Sequence, residues 1–454
     1  MERVSLDQSM LTLNKVCAHA ECCWRRSTDV PFVPTSVIPR KRLRRSRTSL
    51  CRASLCLAGA LVFTLISGLA VPAGSSANGS KVFSLKLFRA IETNGNRPNL
   101  VVSPYSIAEA LAMLSAGANG TTRTQIDSAI AGSKPTAASP PERQLLRQSL
   151  TATNTTGTGT SVSIANALWS AAELPLEQPF RATLKQRFDA STVELPFRTD
   201  PTKSARTINE WVSKATDSRI RKLVDPSSID KNTRVVITNA VLFRGRWMAP
   251  FDATKTTVET FTLQSRQQIR VPTMHGQAST TGDSAQLIAT LPFTAGYEMR
   301  IIAPSSSTRT SLTSAMAALH EPIPPNQSDT KCVNIPIAVP KWTASATIED
   351  LQLVLKALGI TDAFTSRADF TGMSQSRASD LQVTRVAHLA NINVDEKGTI
   401  AAAATAITGE AVDTQPNSSN CPKSLAIDRP FVYVIQQNAG GEILFAGRVD
   451  NPNN

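Results

Sequence analysis

The chain has 454 residues, 41% of them apolar, and 48 Lys or Arg against 35 Asp or Glu for a net charge of +13. The apolar share is ordinary for a soluble globular protein, and the length exceeds what one core usually covers, which by itself suggests two or three domains. Charge and composition together exclude several functions: residues 1–52 hold eleven basic and four acidic side chains and so carry +7 of the total, leaving a mildly basic remainder with no nucleic-acid patch, and the four His (His19, His275, His320, His388) form no metal-ligand cluster and imply no cofactor.

The basic run from Arg40 to Arg52 is followed by an apolar stretch, Leu55 to Val71, and then by small residues in Pro72-Ala73-Gly74-Ser75-Ser76-Ala77. Basic, apolar, small is the order of a secretory signal. The apolar part is about 17 residues, short of the roughly 20 that cross a bilayer, which favours a cleaved signal over a retained anchor. The expectation is a basic extension over 1–53, a signal over 54–77 and a secreted domain over 78–454, with membrane anchoring by an uncleaved segment as the alternative. The stretch ahead of the basic run departs from a standard signal, so Met10 is also a candidate start. Five of the seven Cys (Cys17, Cys22, Cys23, Cys51, Cys56) lie in or before the apolar segment, leaving Cys332 and Cys421. Two thiols are not a disulfide framework, and the loop position of Cys421 argues against a bridge. Sequons at Asn78, Asn119, Asn154, Asn326 and Asn417 permit glycosylation of an exported chain.

Along the domain, Val82, Leu85, Leu87, Phe88 and Ile91 recur at helical spacing and predict an opening helix over 80–93. Ser103 followed by Pro104 reads as a cap and first turn of a second helix, running through Ile107, Ala110, Leu111 and Leu114 to Gly117. A short polar helix over 142–150 sits in a Ser/Thr/Pro-rich stretch, where Lys134, Arg143 and Arg147 make a solvated face rather than a polyanion site. Strand-like residues occupy 162–170, with Trp169 in the core. A helix over 205–216 carries the packing stripe Ile208, Trp211 and Val212. Val235 to Leu242 is a continuous apolar run, the pattern of a fully buried strand, with Asn239 the polar residue inside it.

The most informative segment is Glu396-Lys397-Gly398-Thr399-Ile400-Ala401-Ala402-Ala403-Ala404-Thr405. A flexible Gly precedes a Thr and a row of small side chains, and no Pro follows until Pro416, so the segment can enter a crowded sheet without losing a ladder donor. As a strand it would point Thr399, Ala401, Ala403 and Thr405 to one face and Ile400, Ala402 and Ala404 to the other. Composition alone supports an Ala-rich surface helix equally well.

Context separates the two. VDEKGTIAAAAT from Val394 resembles the hinge of the reactive-centre loop in the serpin family of protease inhibitors. Seven more segments resemble serpins in family order: SPYSIAEALAMLSAGANGTT from Ser103, INEWV from Ile208, TNAVLFRGRWMAPFD from Thr238, LGITDAF from Leu358, ADFTGMS from Ala368, RPFVYVI, and GEILFAGRVDNP near the C-terminus. The resemblance implies one α+β domain over 78–454 with a large, mostly antiparallel central sheet, two smaller sheets, about nine helices and an exposed loop over about 395–427. It implies a hinge of Glu396, Gly398, Thr399, Ala401, Ala402, Ala403, Ala404 and Thr405, with Ile400 standing where the family usually has Glu. It also implies a buried polar cluster of Ser103, Ser106, Asn239 and His388 where the sheet parts.

An enzyme would need a nucleophile and a base; His388 near Asp380 has no GxSxG elbow or comparable frame, so no catalysis is expected. The resemblance implies instead a monomeric inhibitor of a serine protease, with a carrier or chaperone whose loop does not insert as the alternative. Counting from the hinge as in the family puts the reactive bond at Val412–Asp413, whereas counting back from Pro430–Phe431 lands near Ser419, so the loop is about seven residues longer than usual. Ala411 and Val412 suit an elastase-like protease; Glu410, Asp413 or Lys423 suit proteases selecting acidic or basic residues.

Overall fold

The computed structural model describes residues 76–94, 99–131, 159–216, 218, 221–282, 286–304, 332–348, 350–374, 381–399, 421–438 and 442–454. The basic extension, the apolar segment and the short helix over 142–150 lie outside the described residues.

In chain order, helix α1 (Ser76–Asn94) leads to strand β1 (Asn99–Val102), α2 (Pro104–Gly117), α3 (Gly120–Ala131) and β2 (Ser161–Ala171). Next come α4 (Gln178–Phe188), β3 (Ser191–Leu195), α5 (Pro201–Ala215) and β4 (Val235–Arg246). Then follow β5 (Thr257–Thr262), β6 (Gln268–Gly282), β7 (Gln286–Phe293), β8 (Tyr297–Pro304), β9 (Cys332–Pro340) and β10 (Trp342–Ile348). The chain closes with α6 (Gln352–Ala357), β11 (Val383–Asp395), β12 (Gly398–Thr399), β13 (Leu425–Ala426), β14 (Phe431–Gln437) and β15 (Ile443–Val449).

Two sheets organise these elements. A six-stranded sheet has the order β10-β11-β12-β4-β2-β3, antiparallel except where β2 meets β3 and where β11 meets β4. A nine-stranded sheet runs β1-β15-β14-β8-β7-β6-β9-β13, with β5 on the flank of β6. The two smaller sheets implied by the resemblance are thus joined into one. The reason is β6, whose first residues pair with β5, its middle with β9 and its last with β7. Six α-helices form among the described residues, fewer than the nine or so implied.

Local signals explain most boundaries. Ser103 caps α2 by accepting from the Ser106 N–H at 3.3 Å, and Pro104 occupies the first turn, where its missing donor costs nothing. Helix α2 touches both β4 and β15 and is buried almost throughout; each fully buried Leu on it, such as Leu111 or Leu114, contributes about 1.5–3 kcal/mol. The helix expected over 205–216 begins earlier, because Asp200 caps it by accepting from Lys203 N–H at 2.9 Å and Pro201 starts it. Its stripe docks on the six-stranded sheet: Ile208 and Val212 are buried, and Trp211 meets Trp169 of β2 edge-on at 5.7 Å.

Candidate functional site

The site lies where β4 and β11 separate at one end. Over most of their length these strands pair directly and in parallel, from Val383 beside Val235 to Ala390 beside Val241. Beyond that point the chain leaves β11, turns through Glu396 and Lys397, and comes back as β12, wedged between them. Gly398 then pairs with Asp395 and Arg246, and Thr399 with Val394 and Gly245.

The turn is built by capping and by space. The Asp395 carboxylate accepts from Lys397 N–H at 2.9 Å and Gly398 N–H at 3.2 Å. Gly398 has φ +141°, and a Cβ on it would lie 1.8 Å from the Gly245 carbonyl oxygen. No other residue type fits there. Thr399 is fully buried and its hydroxyl accepts from Gly245 N–H at 2.7 Å. A wall of contacts steadies the turn: Trp247 N–H donates to Lys397 O at 3.1 Å, Trp247 Nε1 to Asp395 O at 2.9 Å and Phe251 N–H to Glu396 O at 2.9 Å. The Trp247 ring stacks on Phe293 with centroids 4.2 Å apart.

Glu396 pairs with Lys341 at 2.9 Å and accepts from the Thr256 hydroxyl at 2.8 Å. Burial alone would raise its pKa, but the hydrogen bonds from Lys341, its own backbone and Thr256, together with the Lys341 charge, hold it below the ordinary value.

Further down the same seam lies the polar cluster. Ser103 N–H donates to His388 Nε2 at 3.1 Å, so in the neutral ring the proton sits on Nδ1. Burial pushes this imidazole down to about 3. Asn239 does not bond to the serines or to His388; its Nδ2 donates to Asn166 Oδ1, and Asn166 Nδ2 reaches Phe188 O at 3.4 Å. Asn166, Asn239 and His388 are register neighbours across β2, β4 and β11. Three atoms here have no hydrogen-bond partner: Ser106 Oγ, Asn239 Oδ1 and His388 Nδ1. Asn166 was missed in the sequence, although it carries the same signal as Asn239, a polar residue inside a buried strand.

Of the expected hinge, Glu396, Gly398 and Thr399 are placed; Ala401, Ala402, Ala403, Ala404 and Thr405 lie outside the described residues, as do Glu410, Ala411, Val412 and Asp413. Lys423 is described and exposed. One expectation is overturned: Cys332 and Cys421 form a disulfide, with Cα atoms 5.7 Å apart. Leu425 and Ala426 pair in parallel with Ile337 and Ala338, so two chains running side by side bring the cysteines just upstream of the paired residues together. The earlier expectation treated Cys421 as part of the free loop, whereas it lies at the loop's anchored base. Among the described residues no group of three His, Cys, Asp or Glu is placed to hold a metal, and no helix is long and apolar enough to cross a membrane.

Solved structures share this architecture. Serpin48 of the insect Tenebrio molitor superposes with a TM-score of 0.72 at 26% identity, covering 84% of this chain and 99% of that one. Thyroxine-binding globulin in complex with thyroxine superposes with a TM-score of 0.69 at 25% identity, covering 83% and 99%. The fold is therefore the α+β fold of serpins. The sequence agrees: the family described as "Serpin (serine protease inhibitor)" matches residues 78–452, and Serpin B6 of Pongo abelii is 32% identical over 388 residues, 83% of this chain and 99% of that protein. The chain belongs to the serpin family, whose members are generally inhibitors of serine proteases rather than enzymes.

Proposed function

We propose that this serpin is a suicide-substrate inhibitor of a serine protease, acting by insertion of its cleaved loop into the six-stranded sheet. The observation that carries this reading is Thr399, already paired on both sides, next to Gly398, as the start of a strand between β4 and β11. Continuing that register places Thr405 opposite both Asn239 and His388, and Gly409 opposite Val235 at the far end of β4. The inward positions on the way are Ala401, Ala403, Thr405 and Ile407, and all but Ile407 are small enough to enter without displacing the core.

In this mechanism the protease serine attacks the Val412 carbonyl, the Val412–Asp413 amide breaks, and Asp413 leaves as a free amine while Val412 becomes an ester on the protease. The freed loop then zips between β4 and β11. Some 12–14 new strand residues at about 1 kcal/mol each release on the order of 10 kcal/mol, comparable with the whole stability of a domain. That is enough to drag the protease along the sheet and distort its active site before the ester is hydrolysed. Ala411 and Val412 favour an elastase-like target. The product acts as a monomer.

Thyroxine-binding globulin shares the fold, so the fold alone does not select inhibition over carriage. What supports inhibition is the hinge: the run of small residues from Ala401 to Ala404 in the sequence, and the docked pair of Gly398 and Thr399 that precedes it. Export of the domain after removal of the segment over 54–77 is part of the same proposal, and the Cys332–Cys421 bridge supports it, since disulfides persist in oxidising compartments.

The test is a denaturing gel of the protein with a panel of serine proteases. A denaturant-resistant band of summed mass, with a new N-terminus at Asp413, is expected with an elastase-type enzyme. Cleavage of the loop by every panel member without any such band would sink the inhibitor reading in favour of a carrier.

A further inference from the structure

The Cys332–Cys421 disulfide fixes the far end of the loop. Beyond it, among the described residues, the chain reaches β14 along the edge of the nine-stranded sheet: β13 makes two pairs with β9, Ile427 N–H donates to Ala338 O at 2.8 Å, Thr262 N–H donates to Asp428 O at 2.8 Å, and the Leu425 and Ile427 side chains are buried in the core. Phe431 is the first residue of β14, a central strand of the nine-stranded sheet.

We propose that this disulfide is a lock: it makes entry of the loop into the six-stranded sheet conditional on cutting a bond between the hinge and Cys421. The inference rests on the insertion reading above. Filling the seam from Thr399 beside Gly245 to Gly409 beside Val235 takes the chain about 34 Å down the sheet. An uncut chain must then return. With the disulfide closed, the twelve residue steps from Gly409 to Cys421 span at most about 40 Å. The climb back to the level of Thr399 uses about 34 Å of that, leaving roughly 6 Å for the turn out of the sheet and the sideways path to Cys332. Cys332 sits at the start of β9, eight residues before Pro340, which adjoins the hinge-contacting Lys341, a further stretch of roughly 26 Å of strand. The leash is too short for complete entry. With the disulfide open, β13 can peel from its partner strand and the leash runs to Phe431, twenty-two steps or about 73 Å. The intact loop can then fill the seam without any protease.

The lock also sorts the candidate bonds. A cut at Glu410, Ala411 or Val412 leaves the hinge side with a free end, whereas a cut after Lys423 leaves it tied through Cys421 to β9. Lys423 is therefore excluded as the bond that springs the trap. Opening the lock takes two electrons from a dithiol, which becomes a cyclic disulfide while Cys332 and Cys421 each gain a proton as thiols. Cys421 is partly exposed whereas Cys332 is buried, so a dithiol approaches from the Cys421 side.

The experiment compares the uncut oxidised protein, the protein reduced with dithiothreitol and alkylated, and the double variant Cys332→Ala/Cys421→Ala, each incubated at physiological temperature and followed by melting temperature and intact mass. The reduced protein and the double variant should both drift, with unchanged chain mass, to a form that melts as high as the elastase-nicked protein, while the oxidised protein stays at its starting value. Equal drift in the oxidised sample, or no drift in the two unlocked samples, overturns the lock. The oxidised protein nicked at Val412 separates the two ideas: if its melting temperature rises while the unlocked intact chains stay put, only the lock fails, and if nicking gives no rise, the insertion reading fails and takes the lock with it.

Discussion

Asn239 and His388 sit opposite each other across the line where β4 meets β11, and each presents a polar atom, Oδ1 and Nδ1, that has no hydrogen-bond partner. Buried unpaired polar atoms cost about 1–3 kcal/mol each, so the closed seam carries a penalty at the place where the proposed insertion would open it.

Under the proposed insertion, the register of β12 would bring Thr405 between these two residues, with its hydroxyl able to accept from one and donate to the other. Thr405→Val keeps the shape and removes that group. The rise in melting temperature on loop cleavage should shrink by the equivalent of about 1–3 kcal/mol, with little change in the uncut protein. An unchanged rise would mean the orphaned pair is not what the loop satisfies.

Gly398 is the only residue type that the close approach to Gly245 tolerates. Gly398→Ala should destabilise the uncut protein by roughly 1–3 kcal/mol through strain and loss of β12. Hydrogen exchange at Gly245, whose N–H donates to Thr399, should speed up markedly. If its protection persists, β12 is held by something other than this contact.

Thr399 is fully buried between two strands, so Thr399→Arg places a charge where it has no room and no counter-ion. The protein should become a substrate, with the loop cut and released and stable complex reduced to a trace. Undiminished complex on a gel contradicts the proposed order of insertion.

His388 makes stability depend on pH. Its folded pKa of about 3 lies below the ordinary 6.5, so the unfolded chain binds more protons between those values. The neutral ring's contribution is complete above pH 6.5 and is lost as the pH falls, at about 1.4 kcal/mol per unit. Glu396, also depressed, adds loss only below the ordinary 4.5. Melting temperatures between pH 7 and 5 should therefore drop in the native protein and much less in His388→Gln; parallel curves would refute the assignment.

Much of this was readable along the chain. Ser103-Pro104 announced the buried helix, and the stripe of Ile208 and Val212 announced the helix over the sheet, whereas the small residues from Ala401 to Thr405 lie outside the described residues. What escaped was long-range. The partner of Asn239 lies on β2, 73 residues upstream, and nothing near either residue in the sequence names the other. Cys421 looked like loop because only its parallel run beside β9 makes it an anchor. The merging of the smaller sheets depended on how far β6 continues, and its length, Gln268–Gly282, comes from three different partners rather than from its own residues.

Trp247 holds the hinge through its indole N–H and lies flat against Phe293. Any movement of Asp395 or Lys397 must alter the surroundings of that ring, so the protein carries a built-in optical reporter: ultraviolet emission from an unlabelled sample would time the proposed loop insertion.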